Sequence, residues 1–369
     1  MSEPTTKASA TGIDWKTRIR AFLPKSKISL AQKIFFAENM RVMIRAGLSY
    51  EQAFRTLVLQ ATNKRWKAII ADIASRVERG ETLAAAFASD ETFPPIFISM
   101  IRVGEVSGTL EKSLEELVMQ MKKDLKMKQR IRGAMMYPAI VLTATVAISI
   151  GMLVFVVPKI VDIFKEVKAT LPLATRILIA VSNFTSQNGL VVAVGIVTIV
   201  VASVMIARTK QGRSTMHLGF LKAPIIGKVV MKVNLARATR TLATLLRTGI
   251  PVVDAFNVTA DVLGNLHYQK AFVAIAAEVK LGTSIGDAFA KHPSLFPALV
   301  TQMIIVGEQA GKLDEMLTEL AVFYEEEVDE TLANLTQIIE PILILSLGAA
   351  VGGIALAIIS PMYALSESF

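Results

Sequence analysis

Three stretches of this chain carry no charged side chain: Gly133 to Val157, Ile177 to Ala207 and Pro341 to Ser366. A helix that crosses a bilayer needs about 20 mostly apolar residues, and the run 190–207 has no polar face for water to meet. The competing reading, a buried core helix, needs apolar partners on every side. Membrane spans are therefore expected at 134–158, 187–207 and 341–363. They also explain why the 369 residues are 53% hydrophobic and only 19% charged, where soluble domains run at about 45–50% and about 25%.

Flanking charge sets the expected orientation. Lys122, Lys123, Lys126, Lys128, Arg130 and Arg132 precede the first span, and Arg208, Lys210 and Arg213 follow the second. Both groups belong on the cytoplasmic side by the positive-inside rule. No signal-peptide pattern opens the chain. The N-terminus is thus expected inside, residues 159–186 outside as a loop, and a short tail, 364–369, outside. The acidic run Glu325, Glu326, Glu327, Asp329, Glu330 is neutral evidence here, because acidic residues contribute little to orientation.

The chain also repeats itself. At an offset of 202, Arg45-Ala46-Gly47-Leu48 aligns with Arg247-Thr248-Gly249-Ile250, Ala53-Phe54 with Ala255-Phe256, and Gly80 to Phe87 with Gly282 to Phe289. After one inserted residue the offset is 203. Phe93-Pro94 then aligns with Phe296-Pro297, and Val103-Gly104-Glu105-x-x-Gly108-x-Leu110 with Val306-Gly307-Glu308-x-x-Gly311-x-Leu313. Pro138 aligns with Pro341, each read as opening a span. Two spans lie between the copies, so both fall on one side of the membrane, as a parallel duplication.

Each copy reads as about six helices. Ser29 caps a run to Ala46 that Gly47 stops. Ser49 to Gln52 has the capping-box pattern, and Pro251 suits a first-turn position. Further helices are expected at 64–79, after Thr82, up to Val103, and from Thr109. The last carries Leu110, Leu114, Leu117, Met121 and Leu125 on one stripe. The organisation is a tether at 1–27, a first cytoplasmic repeat at 28–133, and a second, with its linker, at 208–340. The fold class is an all-α membrane protein: two tandem six-helix cytoplasmic bundles plus three transmembrane helices.

Few motifs carry chemistry. With no Cys and three His (His217, His267, His292), thiolate-ligated metals and Cys nucleophiles are excluded and a His-rich metal site is disfavoured. Gly307 to Lys312 resembles a phosphate loop but has three residues between its glycines instead of four, and no Ser or Thr after the Lys. In the twin signature, Gly104, Gly108, Gly307 and Gly311 suit sharp breaks between helices. Glu105 and Glu308 suit a cap on the N-terminus of the helix that follows, with cation binding or a partner contact as the less favoured readings. No catalytic group, cofactor or assured metal ligand is expected. Gly348 and Gly352 form a GxxxG pattern, a packing signal inside the third span. Trp15 to Pro24 has the spacing of a short basic amphipathic helix, suited to a membrane face or a partner.

The net charge of +9 is uneven. Residues 1–137 hold 23 Lys and Arg against 14 Asp and Glu, and residues 208–340 hold 13 against 14. A basic half invites a nucleic-acid reading, but membrane topology and lipid headgroups account for it more economically. Two other classes stay open: a transporter subunit built from parallel repeats, and a membrane-anchored DNA-uptake component.

The duplicated unit, with its R-x-G-[LI]-x-x-x-x-A-F opening and V-G-E-x-x-G-x-L signature before a Pro-led apolar run, resembles the type II secretion F proteins. That family includes the inner-membrane platform proteins of type IV pilus machines. The resemblance covers about residues 28–369. It implies a protein that is no enzyme and sits in the cytoplasmic membrane. It also implies that the chain engages a hexameric assembly ATPase, pilins or pseudopilins and other inner-membrane assembly proteins, and self-associates. Gly47, Gly80, Gly249 and Gly282 join the signature residues as its repeat-motif positions.

Overall fold

The computed structural model describes residues 28–159, 173–223 and 226–366. The basic amphipathic segment at 15–24 and residues 160–172 of the expected outer loop lie outside them. Every regular element among the described residues is a helix. The first copy contains α1 (Leu30–Arg45), α2 (Tyr50–Gln60), α3 (Lys64–Glu78), α4 (Leu83–Ala88), α5 (Pro95–Val106) and α6 (Leu110–Gly151). After a π-helical turn at Met152–Val156 and the segment beyond it come α7 (Leu173–Gln187), α8 (Gly189–Arg208) and α9 (Lys210–Lys222). The second copy follows the order of the first: α10 (Ile226–Arg247), α11 (Val252–Val262), α12 (Leu266–Lys280), α13 (Ile285–Ala290), α14 (Ala298–Ala310) and α15 (Leu313–Ser366).

Local chemistry sets these boundaries. Ser29 and Gln32 exchange both bonds of a capping box at the start of α1, satisfying N–H groups that have no helical partner. The box expected at Ser49 is half made, with the Ser49 hydroxyl accepting from the Gln52 N–H at 3.3 Å. Pro251 stands at the N-cap of α11, one place ahead of the expected first turn. Asn63 and Asn265 cap the equivalent helices α3 and α12.

Each copy is built around aromatic side chains. Phe54, Phe87 and Phe93 of the first correspond to Phe256, Phe289 and Phe296 of the second, and all are buried. The Phe87–Phe93 rings lie 4.8 Å apart and the Phe289–Phe296 rings 4.7 Å. Identity is not kept throughout: Phe36 and Ile70 of one copy become Ala238 and Phe272 of the other, all four buried, so the ring stands on the first helix in one copy and on the third in the other.

Among the described residues two helices are long and apolar enough to cross a membrane: α6 with its continuation to Lys159, and α15. Met136, Ile140, Val146 and Phe155 on the first and Ile342, Leu345, Val351 and Leu356 on the second are exposed. That is the reverse of a core helix. The 20-residue α8 likewise exposes Val191, Val194, Val197 and Val201.

The boundaries expected at 133/134 and 340/341 fall inside these helices, because neither proline opens a new element. Pro138 lies within the 42 residues of α6 and Pro341 within the 54 of α15. Each removes one backbone donor, yet the helix runs on from the folded copy into the apolar segment. At 1.5 Å per residue the two reach about 63 and about 81 Å. The region expected as a loop at 159–186 contains α7, whose Ser182 hydroxyl donates to the Leu153 carbonyl at 2.6 Å and so ties it to the far end of the first long helix.

Candidate functional site: the signature loop and the seam between the copies

The twin signature performs three separate jobs. Gly104 lies inside α5 and Gly307 inside α14, so neither breaks its helix as expected. A Cβ on Gly104 would stand 2.8 Å from the Leu110 Cα and from the Ser113 side chain, and one on Gly307 3.1 Å from the Leu313 Cα. These glycines let α6 and α15 approach the preceding helix closely.

The break itself belongs to the second glycine of each signature. Gly108 and Gly311 take φ of +69° and +66°, a region costly for any residue with a Cβ. The chain then closes a Schellman turn, with the Thr109 N–H donating to the Gly104 carbonyl at 2.9 Å and the Lys312 N–H to the Gly307 carbonyl at 2.8 Å. Gly47, Gly80, Gly249 and Gly282 also have positive φ at helix ends.

The glutamates cap a different helix from the one expected. Glu105 does not serve α6; its two carboxylate oxygens accept from the Leu83 and Ala84 N–H groups at 2.7 and 3.1 Å. Glu308 does the same for Ile285 and Gly286, at 2.7 and 2.9 Å. Thr82 and Ser284 accept from the third N–H of each short helix. A six-residue helix such as α4 is too short to be stable alone; here its opening donors are all taken, and a negative charge sits at the positive end of its dipole. Among the described residues no group of three or more potential metal ligands occurs.

The second constellation lies where the copies meet, and sequence reasoning missed it. The Gln120 side chain of α6 is buried and bonded to two threonines of α10. Its amide donates to the Thr241 hydroxyl at 3.3 Å, and the Thr244 hydroxyl donates to its carbonyl oxygen at 3.4 Å. Around them stand ion pairs between copies. Arg247 donates to Glu116 at 2.7 Å, Lys123 to Glu325 at 3.1 Å and Arg130 to Asp329. Arg237 faces Asp124 at 3.8 Å. Burial pushes the Asp124 carboxyl above its ordinary value, and Arg237 and Lys128 oppose that only in part.

Three of the six cations read as a membrane flank, Lys122, Lys123 and Arg130, are engaged in ion pairs, and the acidic run of α15, Glu325 to Glu330, supplies partners for two of them. The signal was available in the repeat alignment: at the offset of 203, Lys122 and Lys123 correspond to Glu325 and Glu326. Opposite charge at equivalent positions of two parallel helices predicts that they pair. Among the described residues nothing lies within 4 Å of a Cβ added to Gly348 or Gly352, so the close approach expected from the GxxxG pattern is not made among them.

Comparison with known proteins matches these two units separately. The family model for type II secretion system protein F fits residues 36–158 and again 238–361, each match running from the first helix of a copy through the apolar end of its long helix. The type IV pilus assembly protein PilC of Thermus thermophilus is 34% identical over 328 residues, 89% of this chain and 81% of its own length. PilC of Pseudomonas aeruginosa is 32% identical over 334 residues, 90% of this chain and 89% of its own. Type II secretion system protein F of the same organism is 30% identical over 330 residues, 89% and 81% of the two chains.

Proposed function

Since the chain belongs to the type II secretion system protein F family, we propose that it is the inner-membrane platform of a fibre-assembly machine. In this reading it couples a cytoplasmic hexameric ATPase to the insertion of pilins or pseudopilins, alongside other inner-membrane assembly proteins and further copies of itself. The α6, α8 and α15 apolar segments are the three spans. The two copies of the repeat form six-helix bundles in the cytoplasm with the N-terminus, and the C-terminus lies outside.

The observation that carries this reading is the continuity of α6 and α15. Each begins in the core of a cytoplasmic copy, where Leu114, Leu117, Leu317 and Leu320 are buried, and ends as an apolar helix with its side chains exposed. With no loop between the two regions, a tilt or turn imposed on the copies by a partner reaches the apolar ends directly. The seam holds the two levers together, so the copies move as a pair. The partner supplies the energy, and the platform supplies the lever.

Cross-linking tests the coupling. The native chain has no Cys, so a single introduced thiol on a cytoplasmic copy reports without background. Single-Cys variants of the full-length protein in membranes should cross-link to the assembly ATPase, with a yield that changes with its nucleotide. No cross-link in any nucleotide state would overturn the coupling.

A further inference from the structure

Beside the α6–α15 ion pairs, the two copies meet through faces that do not correspond. The first offers Glu116 and Gln120 on α6; the second offers Thr241, Thr244 and Arg247 on α10. Carried across the duplication, the α6 face becomes Glu319 and Phe323 on α15, and the α10 face becomes Asn39, Val42 and Arg45 on α1. A contact between unlike faces leaves the complementary pair of faces unused. Both are open here, with Val42 50% exposed and Phe323 42%.

The two open faces have changed in step. Where Gln120 meets Thr244, polar against polar, the open faces hold Phe323 and Val42, apolar against apolar. The ion pair of Arg247 with Glu116 has its counterpart in Arg45 and Glu319, a cation on one open face and an anion on the other. Arg45 stands 3.6 Å from Glu111 with both side chains exposed, a weak pair that can be exchanged. The third pair, Arg237 with Asp124, becomes Phe35 with Glu327. Glu327 is already paired with Lys232 of its own copy, so the cation missing at Phe35 leaves no carboxylate unmatched.

We propose that a second copy of this chain docks by repeating the internal contact, with α15 of one chain against α1 of the next, Phe323 beside Val42 and Asn39, and Glu319 beside Arg45. The inference deepens the platform reading and rests on it only for the presence of more than one copy. Because the contact is head to tail, each added chain leaves one face of each kind free, and the assembly grows until it closes.

The test uses two differently tagged full-length chains in the same membranes, one V42C and one F323C. Mild oxidation should give a disulfide-linked species carrying both tags, and neither variant alone should link to itself. R45E in the first chain should lower the yield several-fold, and E319R in the second should restore it. Self-linking of V42C as strong as the mixed product would overturn the proposal, since it means like faces meet. An oligomer by native mass in detergent with no mixed disulfide would overturn the surface assignment and leave the platform reading standing. A monomer by native mass would remove self-association from both.

Discussion

Lys122 on α6 donates to Glu38 on α1 at 2.6 Å, and at the equivalent place in the second copy Arg240 on α10 donates to Glu325 on α15 at 2.8 Å. The bond is the same and its polarity is reversed. The reversal lets the long helices lie side by side. Had α15 kept a base where α6 has Lys122, the two would repel along their shared length; as it is, Glu325 serves Arg240 within its copy and Lys123 across the seam.

Glu325→Gln should therefore cost more than Glu38→Gln. Glu325 and Arg240 are well shielded, whereas Lys122 is half in solvent. Exposed pairs contribute under about 1 kcal/mol, and a shielded charge-assisted bond about 1.5–3 kcal/mol, which residual solvent reduces here. Apparent melting temperatures of the two variants in one detergent check the order, with Glu325→Gln the lower.

The glutamate caps set a larger effect. Glu105→Ala or Glu308→Ala strips acceptors from two N–H groups at once, and a loss of about 3 kcal/mol is expected for each. Gln, with a single acceptor oxygen, should recover about half. Thermal unfolding of the full-length variants measures it; a loss no greater than that of an exposed Glu-to-Ala control such as Glu326→Ala would contradict the capping role.

Close approach predicts an order among glycines. Gly104→Ala forces its Cβ against the backbone of Leu110, while at Gly307 two of the three nearest atoms belong to the flexible Met316 side chain. Overpacking costs about 1–3 kcal/mol, with Gly104 expected at the upper end and Gly307 at the lower. Gly133→Ala, where nothing lies within 4 Å, should be neutral or slightly stabilising. Melting temperatures in that sequence, 104 below 307 below 133, are the expected result.

Acid should act on two carboxylates of the first copy with opposite sign. Hydrogen bonds from Lys122 and then Arg41 hold the Glu38 carboxyl below its ordinary value. Its stabilisation is present above the usual carboxylate range and is lost as pH falls through the lowered pKa. Asp124, pushed up by burial, binds its proton more tightly folded than unfolded, so its part of the balance improves as pH falls through the raised value toward the ordinary carboxylate range. E38Q should flatten the acid limb of the stability–pH curve and D124N should steepen it, read from melting temperatures between pH 7 and pH 3.

Continuity of α6 makes a functional prediction. Two glycines inserted after Arg132 cost about 1 kcal/mol each as local helix propensity and leave the first copy's core untouched. The protein should reach the membrane folded, and fibre assembly should fall sharply. Assembly at the native level would show that the helix is no lever.

The duplication, its offsets and most helix boundaries could be read directly from the sequence, because caps and glycines act on their nearest neighbours. What could not be read was the partner of a side chain that acts over distance. Glu105 looked like a cap for α6 because that helix is next in sequence; it caps α4, more than twenty residues back, because α5 folds its end onto the start of α4. Pro138 and Pro341 read as opening spans; each sits in mid-helix, where the one lost backbone bond does not end the element. The basic flank expected before the first span has a second role that the sequence reading did not assign, since the fold sets the acidic run of α15 beside it.

That pairing has a further consequence. Lys122, Lys123, Lys126, Lys128 and Arg130 form a ladder of like charge, and Glu325, Glu326, Asp329 and Glu330 form another. Two such ladders attract at many relative heights: displaced by a turn, one rung takes the place of another. The charges draw the copies together without choosing an alignment. The buried amide of Gln120 makes the choice, since it finds its two hydroxyls at one height only. Recognition along this seam is thus divided between a long-range attraction that is indifferent to position and a short-range lock that is not.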